Sequence, residues 1–165
     1  HPDKKLPAYV EEKWGNQASN AYRADDEGLA DFFAALKTQQ TNFISPSLDL
    51  PQLDRSLSET RLFTPELFEN QQAPIETYDP YPLGSCLAAW LWKIGETHQD
   101  RLRVGEAVVS ALKAMEAILD KNYSLAKLID LIVSKLSTED RERACALLDT
   151  RLQGEFREVP QCNIE

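Results

Sequence analysis

Two histidines, three cysteines and 27 Asp plus Glu are the raw material for any chemistry this chain performs. His98 stands in the run Gly95-Glu-Thr-His-Gln-Asp100, where Glu96 and Asp100 fall four apart and would share a helix face. Paired carboxylates can move a proton or hold a cation. In so acidic a chain the pair reads more simply as solvated surface, and His98 as an exposed helix-end residue. If His1 is a mature terminus, its amine and ring could join His98 in chelating copper; otherwise it marks a processed or excised end. Cys86, Cys145 and Cys162 lack zinc-site spacing. Cys86 and Cys145 lie in apolar runs, CLAAWL and RACALL, and read as small buried core residues. Cys162 reads as a free exposed thiol. Three unpaired thiols predict a reducing compartment and a cytoplasmic location. Asn122-Tyr-Ser124 is a formal glycosylation sequon that reads as helix-end chemistry. No phosphate-binding glycine loop, nucleophile elbow or metalloprotease motif occurs in the sequence. The reading is therefore no catalytic residue, no metal and no cofactor, with enzyme activity uncertain and the lesser expectation.

Helices are the elements available to position anything. From 85 to 153, apolar residues recur at helical spacing. Leu87, Trp90, Leu91 and Ile94 follow a possible cap at Ser85. A second stripe, from about Asp100, holds Val108, Leu112, Met115 and Leu119, with Lys121-Asn122 at its end. Ser124 caps a third stripe of Leu125, Leu128, Ile129, Ile132, Val133 and Leu136. Ser137-Thr-Glu-Asp140 opens a fourth with Ala144, Leu147, Leu148 and Leu152. Short connections predict antiparallel neighbours. Upstream, Leu29, Phe32, Phe33 and Leu36 form the clearest stripe of residues 1–40, while Gly15 and Gly28 weaken helical continuity. One long helix and two shorter ones both remain open there.

Residues 41–84 hold six of the nine prolines, which excludes a long helix or central strand. Short helices fit after Ser56-Leu-Ser-Glu59, a capping-box pattern, and after Thr64-Pro65. Tyr78-Asp-Pro-Tyr-Pro82 should be extended. The segment also carries Phe43, Ile44, Leu48, Leu50, Leu53, Leu57, Leu62, Phe63, Leu67, Phe68 and Ile75. So many apolar groups must lace over the helices or dock on another chain. Lacing is expected for Leu48 to Phe68, and exposure for Thr77 to Pro82. Trp90 shares the stripe of Leu87; Trp92 lies off it, covered by the proline-rich segment or exposed as a binding anchor.

The first residues, His1-Pro2-Asp3-Lys4-Lys5, resemble the HPD loop of a J-domain. Glu11-Glu12-Lys13-Trp14 and Ala21-Tyr22 are similar to that family's helix III, and Asp25-Asp26-Glu27-Gly28-Leu29 to the ending of some bacterial variants. The resemblance covers about 30 residues. It departs from the pattern in lacking helices I and II and in one extra residue between Trp14 and Ala21. It implies a truncated co-chaperone that meets Hsp70 through His1, Pro2 and Asp3.

The net charge of −9 and the lack of a basic patch argue against nucleic acid as a partner. No apolar run approaches the roughly 18 residues that span a bilayer, so no membrane association is expected, and no signal-like segment is present. The fold expected is all-α: an antiparallel helical bundle over about 85–153, with an N-terminal helix and a proline-rich irregular segment packed on it. The chain reads as a single domain, 1–165, divided into 1–40, 41–84, 85–154 and a tail, 155–165. The function expected is a non-enzymatic protein–protein interaction module, an adaptor or assembly factor. It would bind another protein, or itself as a homodimer, through Phe63, Phe68, Tyr78, Tyr81 and Trp92. The alternatives are the J-domain-like co-chaperone and an enzyme with an unrecognised site.

Overall fold

The computed structural model describes residues 6–42, 55–151 and 159–162. The regular elements among them are all helical. Helix α1 runs Leu6–Thr38, α2 Pro65–Glu69, α3 Tyr81–Ile94, α4 His98–Ala114, α5 Leu125–Lys135 and α6 Thr138–Arg151. Short 3-10 turns cover Asn70–Gln72, Met115–Ile118 and Pro160–Cys162.

Of the two options the sequence left open, α1 takes the second: two helical stretches meet at a kink at Gly15, whose φ of 77° is backbone that glycine adopts without a Cβ penalty. The helix continues unbroken through Gly28. Gly28 is where α1 crosses α3, facing Gly84 backbone to backbone. A Cβ on Gly84 would stand 2.6 Å from the Ala24 carbonyl oxygen, and one on Gly28 would strike the Gly84 carbonyl. Ala21 and Ala24 of α1 and Ala88 of α3 are also fully buried. Helices α1 and α3 are the most extensively packed pair among the described residues.

Helix α3 is central, packed by α1, α2, α4 and α6. Its whole run from Leu83 to Trp92 is buried, as an apolar helix without a polar face must be. That accounts for both tryptophans. Trp90 is in the core, its Nε1 donating to the Ala144 carbonyl at 3.1 Å. Trp92, off the stripe, is also buried, with the Arg101 guanidinium 4.1 Å from its ring. Ser85 is not the cap of this helix. The helix starts at Tyr81, with Pro82 in its first turn and the Asp79 side chain accepting from the Tyr81 N–H at 3.1 Å. The expected extended run Tyr78–Pro82 is thus corrected: proline's fixed φ suits a helix start as well as an extended strand.

The later helices begin where their caps stand. Thr97 and Asp100 form a reciprocal capping box on α4, and these bonds pull the Asp100 carboxyl down to about 2. Asp100 is thereby engaged as a cap, and the Arg143 guanidinium reaches Glu96 at 3.8 Å. Ser124 caps α5, and the Ser137 hydroxyl oxygen accepts from the Asp140 N–H at the start of α6. Helix α4 ends at Ala114, and a 3-10 turn carries Met115, so the second stripe is shorter than its spacing predicted.

The described part of the proline-rich segment laces over the helices as expected. Leu57 and Phe63 are fully buried. Side chains of α1 take up the backbone carbonyls of this segment. Asn20 donates to Gln71 and Ala73 at 2.9 and 2.8 Å, and Arg23 to Ile75 at 2.7 Å. Asp31 holds Arg55 through two bonds of 2.9 Å. Ser56–Glu59 starts no helix; Ser56 instead bonds Ser58 side chain to side chain. Residues 43–54, with Leu48, Leu50 and Leu53, lie outside the described residues.

Two cysteine expectations fail. Cys145 of α6 and Cys162 are joined by a disulfide, with Cα atoms 5.3 Å apart. Cys162 is therefore not free, and it lies in a short 3-10 turn. Val159 beside it is buried, and the Gln161 N–H bonds the Asp130 carboxylate of α5 at 2.9 Å. Cys86 is buried as expected, its thiol donating to the Leu62 and Pro82 carbonyls. No described helix is long and apolar enough to cross a membrane.

Candidate functional site

The aromatic residues singled out in the sequence do not gather into one surface. Phe63 is buried and stacks on the half-buried Phe68, ring centroids 6.4 Å apart. Tyr78, expected exposed, is 6% exposed beside Arg23. Burial pushes the pKa of its hydroxyl up, and the nearby Asp25 carboxylate adds to the shift. Trp92 is buried beneath Arg101. Tyr81 alone of these five is open, 42% exposed, with the Arg55 guanidinium 4.2 Å from its ring. His1, Pro2 and Asp3 lie outside the described residues.

The larger exposed apolar feature is a furrow between α1 and α4. Gly105 of α4 lies against Leu36 and Phe33 of α1. A side chain there would fill the gap, so glycine keeps the two helices close. At this end the furrow is about 390 Å³, walled by Phe33, Leu36, Leu102 and Val109. Leu102 and Val109 are 37% and 41% exposed and lie seven apart on one face of α4. Farther along, Phe33 and Leu29 face Leu112 and Met115 around a second hollow of about 260 Å³. Position numbers fall along α1 as they rise along α4, so the two helices run antiparallel here. From Leu36 back to Tyr22 the furrow follows α1 for about 20 Å.

Its charge is one-sided. Asp25 and Asp26 stand at one end, and Glu106 and Lys113 at the other. Asp25 is 1% exposed. The Tyr123 hydroxyl donates to its Oδ2 at 2.6 Å, and its Oδ1 has no hydrogen-bond donor among the described residues. Burial pushes the Asp25 carboxyl up to about 8, against the pull of the Tyr123 bond. Tyr123 is raised in turn by burial and by the facing carboxylate. Trp14, Tyr22 and Tyr123 pack ring against ring beside this pair, with centroids 6.1 to 6.4 Å apart.

No known protein family, curated protein or solved structure matches the chain. The site is therefore read from its own geometry. Among the described residues no group of three or more His, Cys, Asp or Glu could hold a metal ion. Sequence reasoning found Phe33 and Leu36 as a core stripe and missed that their edge, with Leu102 and Val109, borders solvent. The available signal was the seven-residue spacing of Leu102 and Val109 on a helix whose core stripe runs through Val104, Val108 and Ala111. It also missed Asp25. Only the approach of Tyr123, 98 positions away, marks it out.

Proposed function

We propose that this chain is a non-enzymatic protein–protein interaction module that receives an amphipathic helical segment of another protein in the α1/α4 furrow. The observation that carries the reading is the continuity of the furrow: two hollows sharing Phe33 and bordered by the exposed Leu102 and Val109. Its length matches about four turns of a docked helix. The Asp26 and Glu106 carboxylates against one lysine along it, in a chain of net charge −9, favour a partner segment with basic residues. The earlier candidate anchors Tyr78, Trp92, Phe63 and Phe68 contribute packing instead, and Tyr81 lies outside the furrow.

Nucleic acid and membrane remain poor partners on charge, and a homodimer through the furrow is the self-binding form of the same reading. The cytoplasmic expectation rested on three unpaired thiols. It loses that support with the Cys145–Cys162 bond, which persists best in an oxidising compartment.

The test is a pair of variants compared in capture from native extract, with light scattering on the isolated chain. Val109→Glu places a charge in the furrow at an exposed position and should abolish both capture and any self-association. Tyr81→Ala should leave them intact. The reverse pattern would move the docking surface to the proline-rich segment. A second reading is J-domain-like contact with Hsp70 through His1, Pro2 and Asp3, which rests on the sequence resemblance of residues 1–29. Stimulation of an Hsp70 ATPase that is lost in His1→Gln would support it.

A further inference from the structure

At the Tyr22 end of the furrow, the 260 Å³ hollow combines apolar walls with two carboxylates, and no Lys, Arg or His is among the described residues that line it. One of those carboxylates, Asp25, is buried with a single hydrogen-bond donor for its two oxygens. Tyr123 satisfies Oδ2, and no described residue donates to Oδ1. A buried acceptor in that state is costly to keep unless something else uses it. We propose that this hollow binds a primary alkylammonium group, with Asp25 and Asp26 as its counter-charges and Leu29, Phe33 and Met115 around its alkyl chain.

An ammonium brings three donors and a compact positive charge. The hollow offers the acceptor, the opposite charge and a low-polarity wall for the methylenes. Asp26 is exposed and supplies the outer charge; Asp25 supplies the inner one. Oδ1 is itself covered, so direct contact with the ammonium requires a side chain lining the hollow to move. The groups facing Asp25 are Asp26 and Tyr22 from α1, Tyr123 ahead of α5 and Tyr78 ahead of α3. All are acidic or neutral, and none offers a positive charge. Asp25 therefore keeps its proton near neutral pH, and an arriving cation expels it. Binding is accompanied by proton release. The ammonium belongs either to a free amine or to a lysine of the docked segment; only the second source rests on the docking reading above.

Isothermal titration of the full chain near neutral pH, in two buffers of different ionisation enthalpy, tests this. The probes are n-hexylammonium chloride, Nα-acetyl-lysine N-methylamide and n-hexanol. At least one ammonium probe should bind with proton release, and hexanol should not bind. Tighter binding of the lysine derivative assigns the source to a partner segment; tighter binding of hexylammonium assigns it to a small amine. Asp25→Asn should weaken binding about ten-fold or more, and Asp26→Asn by less. Val109→Glu should leave hexylammonium binding unchanged, which separates this site from the docking reading. The proposal is overturned if neither ammonium binds, if hexanol binds equally, or if a folded Asp25→Asn protein keeps the wild-type affinity. Should Asp25→Asn not fold, unchanged affinity in Asp26→Asn together with binding that releases no proton overturns it.

Discussion

A carboxyl group that is 1% exposed keeps its proton unless a cation or several donors surround it. Asp25 has one donor, Tyr123, and its carboxyl rises from 3.8 to about 8. Between those two values the unfolded chain has lost the proton that the native chain retains. Stability contributed by this group is therefore full at acid pH and falls as pH rises to about 8, by up to about 1.4 kcal/mol per unit. Asp25→Asn removes that slope. Urea denaturation at pH 5 and pH 8 should show the variant gaining on the wild type with rising pH; parallel profiles would mean that Asp25 is ionised in the native state. Trp90 makes the opposite kind of contribution. It is fully buried and its one polar atom is bonded. Trp90→Ala should cost roughly 3–5 kcal/mol through the cavity it leaves, read from the same denaturation curves. A loss under about 1 kcal/mol would mean that the core collapses around the site.

At the scale of elements, the α1/α3 crossing sets the architecture. Two helices approach backbone to backbone only where neither carries a side chain, and Gly28 and Gly84 are that place. Gly28→Ala raises intrinsic helix propensity by about 1 kcal/mol. Its methyl, however, would meet a backbone carbonyl that cannot swing away. The net effect should be a loss of about 1–3 kcal/mol or more, with a lower melting temperature. A stabilised variant would mean that α1 and α3 part without penalty. The same crossing makes α1 a member of the core rather than an addition to a bundle of residues 85–153. Helical periodicity identified each stripe, and caps at Thr64, Ser124 and Ser137 placed helix starts. A stripe does not say which other stripe it meets, so the furrow between α1 and α4 was not legible.

Across the whole molecule, one core cluster runs from Ala18 on α1 to Val159 near the C-terminus. The Cys145–Cys162 bond closes a separation of 17 positions and ties the last described turn to α6. Closing a loop of that size contributes about 3 kcal/mol, largely by restricting the unfolded chain. Reduction, or Cys162→Ser, should lower the melting temperature by several degrees while leaving helical circular dichroism at room temperature. An unchanged melting temperature would show that the tail is held by Val159 and the Gln161–Asp130 bond alone.

The all-α class, most helix starts and the burial of Leu57 in the proline-rich segment followed from sequence, because periodicity, caps and the cost of wetting large apolar groups are local or additive properties. Pairings over long separations were decided only in three dimensions. Tyr123 finds Asp25, Asn20 finds Gln71, and Cys145 finds Cys162. Tyr78 and Trp92 turned inward for the same reason. Whether a side chain is core or surface depends on which neighbour reaches it, and here those neighbours are Arg23 and Arg101, set beside the rings by the packing of whole helices.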